Sequence, residues 1–126
     1  MPGSKTNPVN WFEIPVLDLD RATRFYESVF GYTFTPQTMG PYSLAFFPLT
    51  EGVPGATGAL IKGGVYKPSR TGTILYFSVD DIEDILNKVT ASGGKTVLPK
   101  KGIGQHGFIA QFDDTEGNRL ALHSMK

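Results

Sequence analysis

Val16-Leu-Asp-Leu-Asp-Arg-Ala-Thr-Arg-Phe-Tyr-Glu-Ser-Val-Phe-Gly31 carries the start, the buried face and the end of one helix. Asp18 and Asp20 offer side-chain oxygens to the free amides of a first turn. Ala22, Phe25, Tyr26, Val29 and Phe30 recur at helical spacing, so a helix over about 20–30 has one apolar stripe. Gly31 stands where the chain must turn left-handed to leave the helix. Upstream, Val9 to Val16 is rich in β-branched and aromatic residues and reads as a strand. Pro15 cannot donate to a ladder, which places it on an edge or at the strand's last residues. Residues 1–8 read as a mobile lead-in. Downstream, strand-like stretches fall at 32–38, 42–48 and 57–62, with a Gly/Pro-rich bend from Thr50 to Gly55.

The same pattern then begins again. Residues 63–72 have turn chemistry and few packing side chains, so they read as a linker. Thr73 to Val79 reads as a strand, Asp80 and Asp81 as helix caps, and Ile82, Ile85, Leu86 and Val89 as an apolar stripe ended by Gly93-Gly94. Strands follow near 95–98, 107–113 and 118–124, the last two joined by a turn at 114–117. A shift of 63 residues carries Val16 onto Val79, Asp18 onto Asp81, Leu19 onto Ile82, Tyr26 onto Val89 and Gly31 onto Gly94. Since the chain has 126 residues, it reads as two copies of a β-α-β-β-β unit within one domain, module one over about 9–62 and module two over about 73–124.

Composition removes several function classes. Twelve basic and twelve acidic side chains cancel, so no overall field draws the protein to nucleic acid or to a membrane surface. The absence of cysteine removes disulfides, thiolate nucleophiles and every cysteine-held metal centre. No apolar run reaches the roughly 18 residues of a membrane span, and the N-terminal stretch lacks a signal-peptide core, so a cytoplasmic location is the expectation. Lys95, Lys100 and Lys101 read as a solvated face. Gly102, Gly104 and Gly107 fit G-x-G-x-x-G, but a strand and not a helix follows them, so they are no dinucleotide fingerprint. The better reading of 102–107 is a loop over the mouth of a site, carrying Gln105 and His106. The serines show no hydrolase arrangement.

The segment 16–31 resembles the V-x-D-L-x-R-A-x-x-F-Y-x-x-x-x-G signature of the vicinal oxygen chelate superfamily, which includes glyoxalase I, bleomycin-resistance proteins and extradiol dioxygenases. Val79-Asp-Asp-Ile-Glu-Asp-Ile85 and Asp113-Asp-Thr-Glu-Gly-Asn118 resemble the second-half counterparts, so the likeness covers essentially 9–124. It implies an α+β fold in which two βαβββ modules form an open, cup-shaped mixed barrel holding a ligand, and it implies a homodimer. Short strands with open edges point to a homodimer as well. The four positions at which metal-dependent relatives place His, Glu or Gln fall on Trp11, Ala59, Ile74 and Ala121, the second with an uncertainty of one residue. None of these has a lone pair to give a divalent cation. No metal or other cofactor is therefore expected there, and glyoxalase I activity is not expected.

Strand alternation names what shares the cup face with those positions: Glu13 and Pro15 with Trp11, Tyr76 and Ser78 with Ile74, Arg119 and His123 with Ala121. The expected ligand-binding residues are Trp11, Glu13, Tyr76, Gln105, His106, Ala121 and His123, and the candidate catalytic residues are Glu13, His123 and His106. In an apolar wall Glu13 would resist ionisation and serve as a general base. Its plainer reading is a hydrogen bond to a neighbouring strand or to Arg119. Two functions follow: binding of a small apolar or aromatic metabolite without a metal, or proton transfer beside a carbonyl by Glu13 and a histidine in a lyase, isomerase or dioxygenase relative. A displaced metal site on Glu13 and His123 would need a third ligand from a loop.

Overall fold

In the computed structural model, which describes residues 6–126, Asp18 starts the first helix and Gly31 stops it. The Asp18 carboxylate accepts from the Arg21 amide at 3.0 Å. Gly31 has φ 76°, and its amide reaches back to the Glu27 carbonyl at 2.8 Å. This helix, α1 (Leu19–Phe30), follows β1 (Trp11–Pro15) and precedes β2 (Thr35–Met39), β3 (Tyr42–Phe46) and β4 (Thr57–Lys62). The second unit repeats the order as β5 (Tyr76–Ser78), α2 (Ile82–Ala91), β6 (Lys95–Gly102), β7 (Phe108–Asp113) and β8 (Arg119–Ser124), with a 3-10 turn at Gly104–His106. Asp81 caps α2 by accepting from the Asp84 amide at 3.1 Å. Asp20 and Asp80, the other expected caps, do not cap: Asp20 lies within the first turn of α1 and Asp80 lies before the cap position.

Each unit makes a four-stranded mixed sheet in which the first strand lies at one edge, parallel to the last strand. The orders are β1-β4-β3-β2 and β5-β8-β7-β6. The fold is α+β with two tandem βαβββ modules, and its sheets stay open. Pro15 sits at the end of an edge strand, as its missing N–H requires.

Boundaries differ from expectation where pairing overrides local pattern. β5 covers only 76–78, although Ala121 donates to the Leu75 carbonyl at 2.8 Å and Arg119 to the Ser69 carbonyl at 3.2 Å. The run from 69 to 75 thus follows β8 without a regular ladder. β6 continues to Gly102, and its register against β7 shifts between Leu98 and Lys101, around Pro99. β2 begins at Thr35 because Phe34 turns into the core. The expected lead-in over 1–8 falls, for residues 1–5, outside the described residues.

One core cluster joins both modules. Ile14, Leu60, Phe77, Leu120 and Leu122 contribute the helix-facing sides of the sheets, and Phe25, Tyr26, Val29, Ile82 and Val89 the helices. Phe77 is its hinge, with ring contacts to Phe12, Tyr26, Phe30 and Phe47 at 4.9–6.3 Å. The turn between β7 and β8 is bonded directly to α1. The Tyr26 hydroxyl donates to Asp114 Oδ2 at 2.8 Å, and burial together with that neighbouring charge raises its pKa well above the usual phenol range. Glu116 accepts from the amides of Leu17 and Asp18 and from Arg21 Nε at 2.7 Å. Asn118 Nδ2 donates to the Pro15 carbonyl at 2.7 Å.

Candidate functional site

Period-two alternation sorts β1 cleanly. Ile14 and Val16 are buried toward the helices, whereas Trp11 and Glu13 face the other side and are exposed. Across the ladder Trp11 pairs with Thr57 and Glu13 with Ala59, while β3 brings Phe46 opposite Ala59 and Leu44 opposite Ile61. Leu44, Ala59 and Ile61 form a second apolar cluster on this face, packed under Tyr42, Phe46 and Tyr66. Trp11 meets Phe46 edge-on at 5.5 Å, and Tyr42 meets Tyr66 at 5.3 Å. Tyr66 comes from the linker, which crosses over the sheet here.

Beside this face lies a cavity of about 380 Å³. β1 lines it with Trp11, Glu13 and Pro15, the run leading into β5 with Lys67, Ser69, Thr71, Thr73 and Leu75, and the start of β8 with Arg119 and Leu120. Its size and its mix of apolar and polar walls suit a small organic ligand. Glu13 borders the linker's Tyr66. The charge of Glu13, then burial, the nearby Tyr42 and a hydrogen bond to Glu13 raise the Tyr66 phenol above its ordinary value. Arg119 is not Glu13's partner: its Nε holds Asp113 at 2.9 Å, and Arg70 holds the same carboxylate at 3.1 Å. Burial pushes Asp113 up, but the two guanidiniums outweigh it and leave that carboxyl below its usual range.

The other expected residues lie elsewhere. Tyr76, half exposed, lines a separate hollow of about 310 Å³ with Ile74, Phe12 and Phe47. Ala121 is fully buried opposite Tyr76. His123 faces Ser78 and Ile109 across the ladders and borders a third hollow of about 570 Å³ with Asp80 and Met125. Its Nε2 stands 2.6 Å from the His106 carbonyl oxygen, which accepts, so this nitrogen carries the proton in the contact. Gln105 and His106 are exposed in the 3-10 turn that this contact fastens. Trp11 and Glu13 share a cavity, and His123 with His106 forms a second pair on the other sheet. None of these three cavities contains both pairs.

The positions that would hold a metal fit none. Trp11, Ala59, Ile74 and Ala121 supply no donor, and among the described residues no three His, Asp or Glu side chains converge. Sequence reasoning passed over the linker, read as having few packing residues. The signal was there: Lys67, Ser69, Thr71 and Thr73 occupy every second position, as a strand with one polar face would.

A family model described as the Glyoxalase/Bleomycin resistance protein/Dioxygenase superfamily matches residues 9–122. The chain belongs to that superfamily. Within it, a glyoxylase-like domain-containing protein of Didymella fabae is 32% identical over 118 residues, covering 90% of this chain and 91% of its own. A putative glyoxylase of Mycobacterium bovis is 28% identical over 117 residues, and the match spans 44% of that longer protein. Among solved structures, a superfamily domain from Frankia sp. has a TM-score of 0.74 at 19% identity, covering 97% of this chain and all of its own. A glyoxalase I variant from Zea mays has a TM-score of 0.71 at 19% identity, with 94% of this chain against 47% of that one. At these identities the structures establish the glyoxalase-superfamily fold and nothing further. No helix among the described residues is long and apolar enough to cross a membrane.

Proposed function

We propose that this superfamily member binds a small apolar or aromatic metabolite in the cavity beside Trp11 and Glu13, with no resident metal ion. The observation that carries the reading is the cavity itself, which sets an indole, a proline and two leucines against hydroxyls and two cationic side chains. The family's metal positions, occupied by one aromatic and three aliphatic side chains, support a ligand held by shape and hydrogen bonds. A homodimer and a cytoplasmic location go with this reading, the first supported by the open edges of both sheets. Trp11 is the chain's one tryptophan, so its emission reports on the cavity directly. A panel of aromatic and short apolar metabolites should contain members that shift this emission, and by calorimetry Trp11→Ala should weaken them about tenfold or more. Unchanged affinity in that variant overturns the site.

A second reading is favoured by the Glu13–Tyr66 pair, which puts a proton acceptor and a proton donor at the cavity's edge. In this reading the domain converts a carbonyl metabolite, Glu13 taking a proton from the carbon beside the carbonyl. Glu13→Gln then abolishes turnover of any α-oxo compound that the wild-type protein converts, at unchanged thermal stability. Wild-type rates in that variant remove Glu13 from the chemistry.

A further inference from the structure

We infer that the ligand of the Trp11 cavity carries a carboxylate, an inference that rests on the cavity reading above and narrows it to apolar monocarboxylates. The cavity is divided by chemistry. β1 and the start of β8 give it apolar surface through Trp11, Pro15 and Leu120, while the linker gives it a polar rail. Lys67, Ser69, Thr71 and Thr73 all line this space, along a run that bends at residues 70–72 with Gly72 at φ 96°. The rail is rigid in its middle: the Ser69 hydroxyl lies 2.8 Å from the Thr71 carbonyl and 3.1 Å from the Thr71 hydroxyl, and the Thr71 amide donates to Ser69 Oγ at 3.0 Å. The Ser69 amide is itself held by Asn118 Oδ1 at 3.0 Å.

Charge selects what the rail meets. Arg70 and Arg119 share the single carboxylate of Asp113, so that cluster keeps one positive charge in excess. Lys67 has no ion-pair partner among the described residues. Glu13 is the one carboxylate in the lining, and the Tyr66 hydroxyl is directed to it. The cavity and the groups behind its wall therefore hold three cations, Lys67, Arg70 and Arg119, against the carboxylates of Glu13 and Asp113, and two of the three cations belong to the linker. An anionic head at Lys67 and the threonine hydroxyls, with an apolar body against Trp11, satisfies both walls. A charge-assisted hydrogen bond to an ammonium is about twice as strong as a neutral one, so the head group sets the affinity order.

Calorimetry with phenylacetate, phenylacetamide and phenethylamine, three probes of one body and different charge, tests this at low ionic strength. Phenylacetate should bind about tenfold more tightly than phenylacetamide, with phenethylamine weakest. Lys67→Met should bring acid and amide to within about twofold of each other at an unchanged melting temperature, because Lys67 is exposed. Trp11→Ala should weaken acid and amide alike. Equal binding of acid and amide by the wild-type protein overturns the carboxylate while leaving the cavity reading in place. A preference for phenethylamine overturns it in favour of Glu13 as the deciding charge, and an acid preference that survives in Lys67→Met removes Lys67 from the site. Absence of heat with all three probes, together with unmoved Trp11 emission, overturns both readings.

Discussion

The Glu116 side chain has no exposed surface, yet it remains ionised because nearly every neighbour donates to it. Burial pushes its pKa up; Arg21, the amides of Asp18 and Leu17 and the Thr115 hydroxyl outweigh that and lower it from 4.5 to about 2. A carboxyl whose folded pKa is depressed contributes stability above its unfolded value and loses it as pH falls toward the folded one. The contribution, roughly 3 kcal/mol from a shift of this size, is thus complete above about pH 4.5 and fades toward pH 2. Glu116→Gln should lower the unfolding free energy at pH 7 by about 2–3 kcal/mol and flatten the acid limb of a stability-against-pH profile. Urea titrations from pH 2 to 7 give both, and parallel acid limbs in the two proteins would contradict the assignment. Sequence alone marked 114–117 as a turn and 113–118 as resembling a family motif but gave no bonding partner, because Glu116 finds Arg21 across 95 residues and no periodicity records that. Asp18 and Gly31, whose work is done within four residues, were legible at once.

At the scale of elements, the ladder between β1 and β4 depends on Gly58. A Cβ there would collide with the backbone oxygen and the ring of Phe12, so this is a position of close approach. Gly58→Ala should separate the two strands, cost about 2–3 kcal/mol by analogy with other overpacked cores, and slow or abolish ligand binding by displacing Trp11. Amide hydrogen exchange along 11–15 and 57–62 would register the loosening, and unchanged protection would refute it. Elements whose pairing follows from their own alternation, such as β4 at 57–62, were readable in the sequence to the residue. β5 and β6 were not, since their lengths depend on register against β8 and β7 and on a bulge around Pro99. That Lys67, Ser69 and Thr71 of the linker line a cavity was missed for a related reason: the cavity exists only once β1 lies beside them.

For the whole molecule, the repeat was readable and its asymmetry was not. Asp114, Glu116 and Asn118 tie the last hairpin to α1 and to the end of β1, while the residues 63 positions earlier are Glu51, Val53 and Gly55, of which Val53 is exposed and unable to make such a bond. The two modules are therefore joined by one polar latch and a shared aromatic core around Phe77. The candidate site shows the same asymmetry, with aromatic chemistry on the first sheet and the His123–His106 contact on the second. Protein purified without chelator should carry far less than one equivalent of zinc, nickel, manganese or iron, and EDTA should leave its melting temperature unchanged. A stoichiometric ion by elemental analysis, with a melting temperature that falls on chelation, would reverse the metal-free reading.

The latch also orders events during synthesis. The amides of Leu17 and Asp18 wait for a carboxylate 98 or 99 residues further along, and the Pro15 carbonyl for a side chain 103 residues away. Until Asn118 has cleared the ribosome, the N-terminus of α1 has only Asp18 to cap it, and the helix has no Asp114 to receive the Tyr26 hydroxyl. The first module so emerges with α1 able to pack only on its own β3 and β4, and closure of the shared core is deferred until residues 114–118 have emerged. High contact order of this kind makes folding slow and leaves a window in which chaperones are the natural custodians of the unfinished chain.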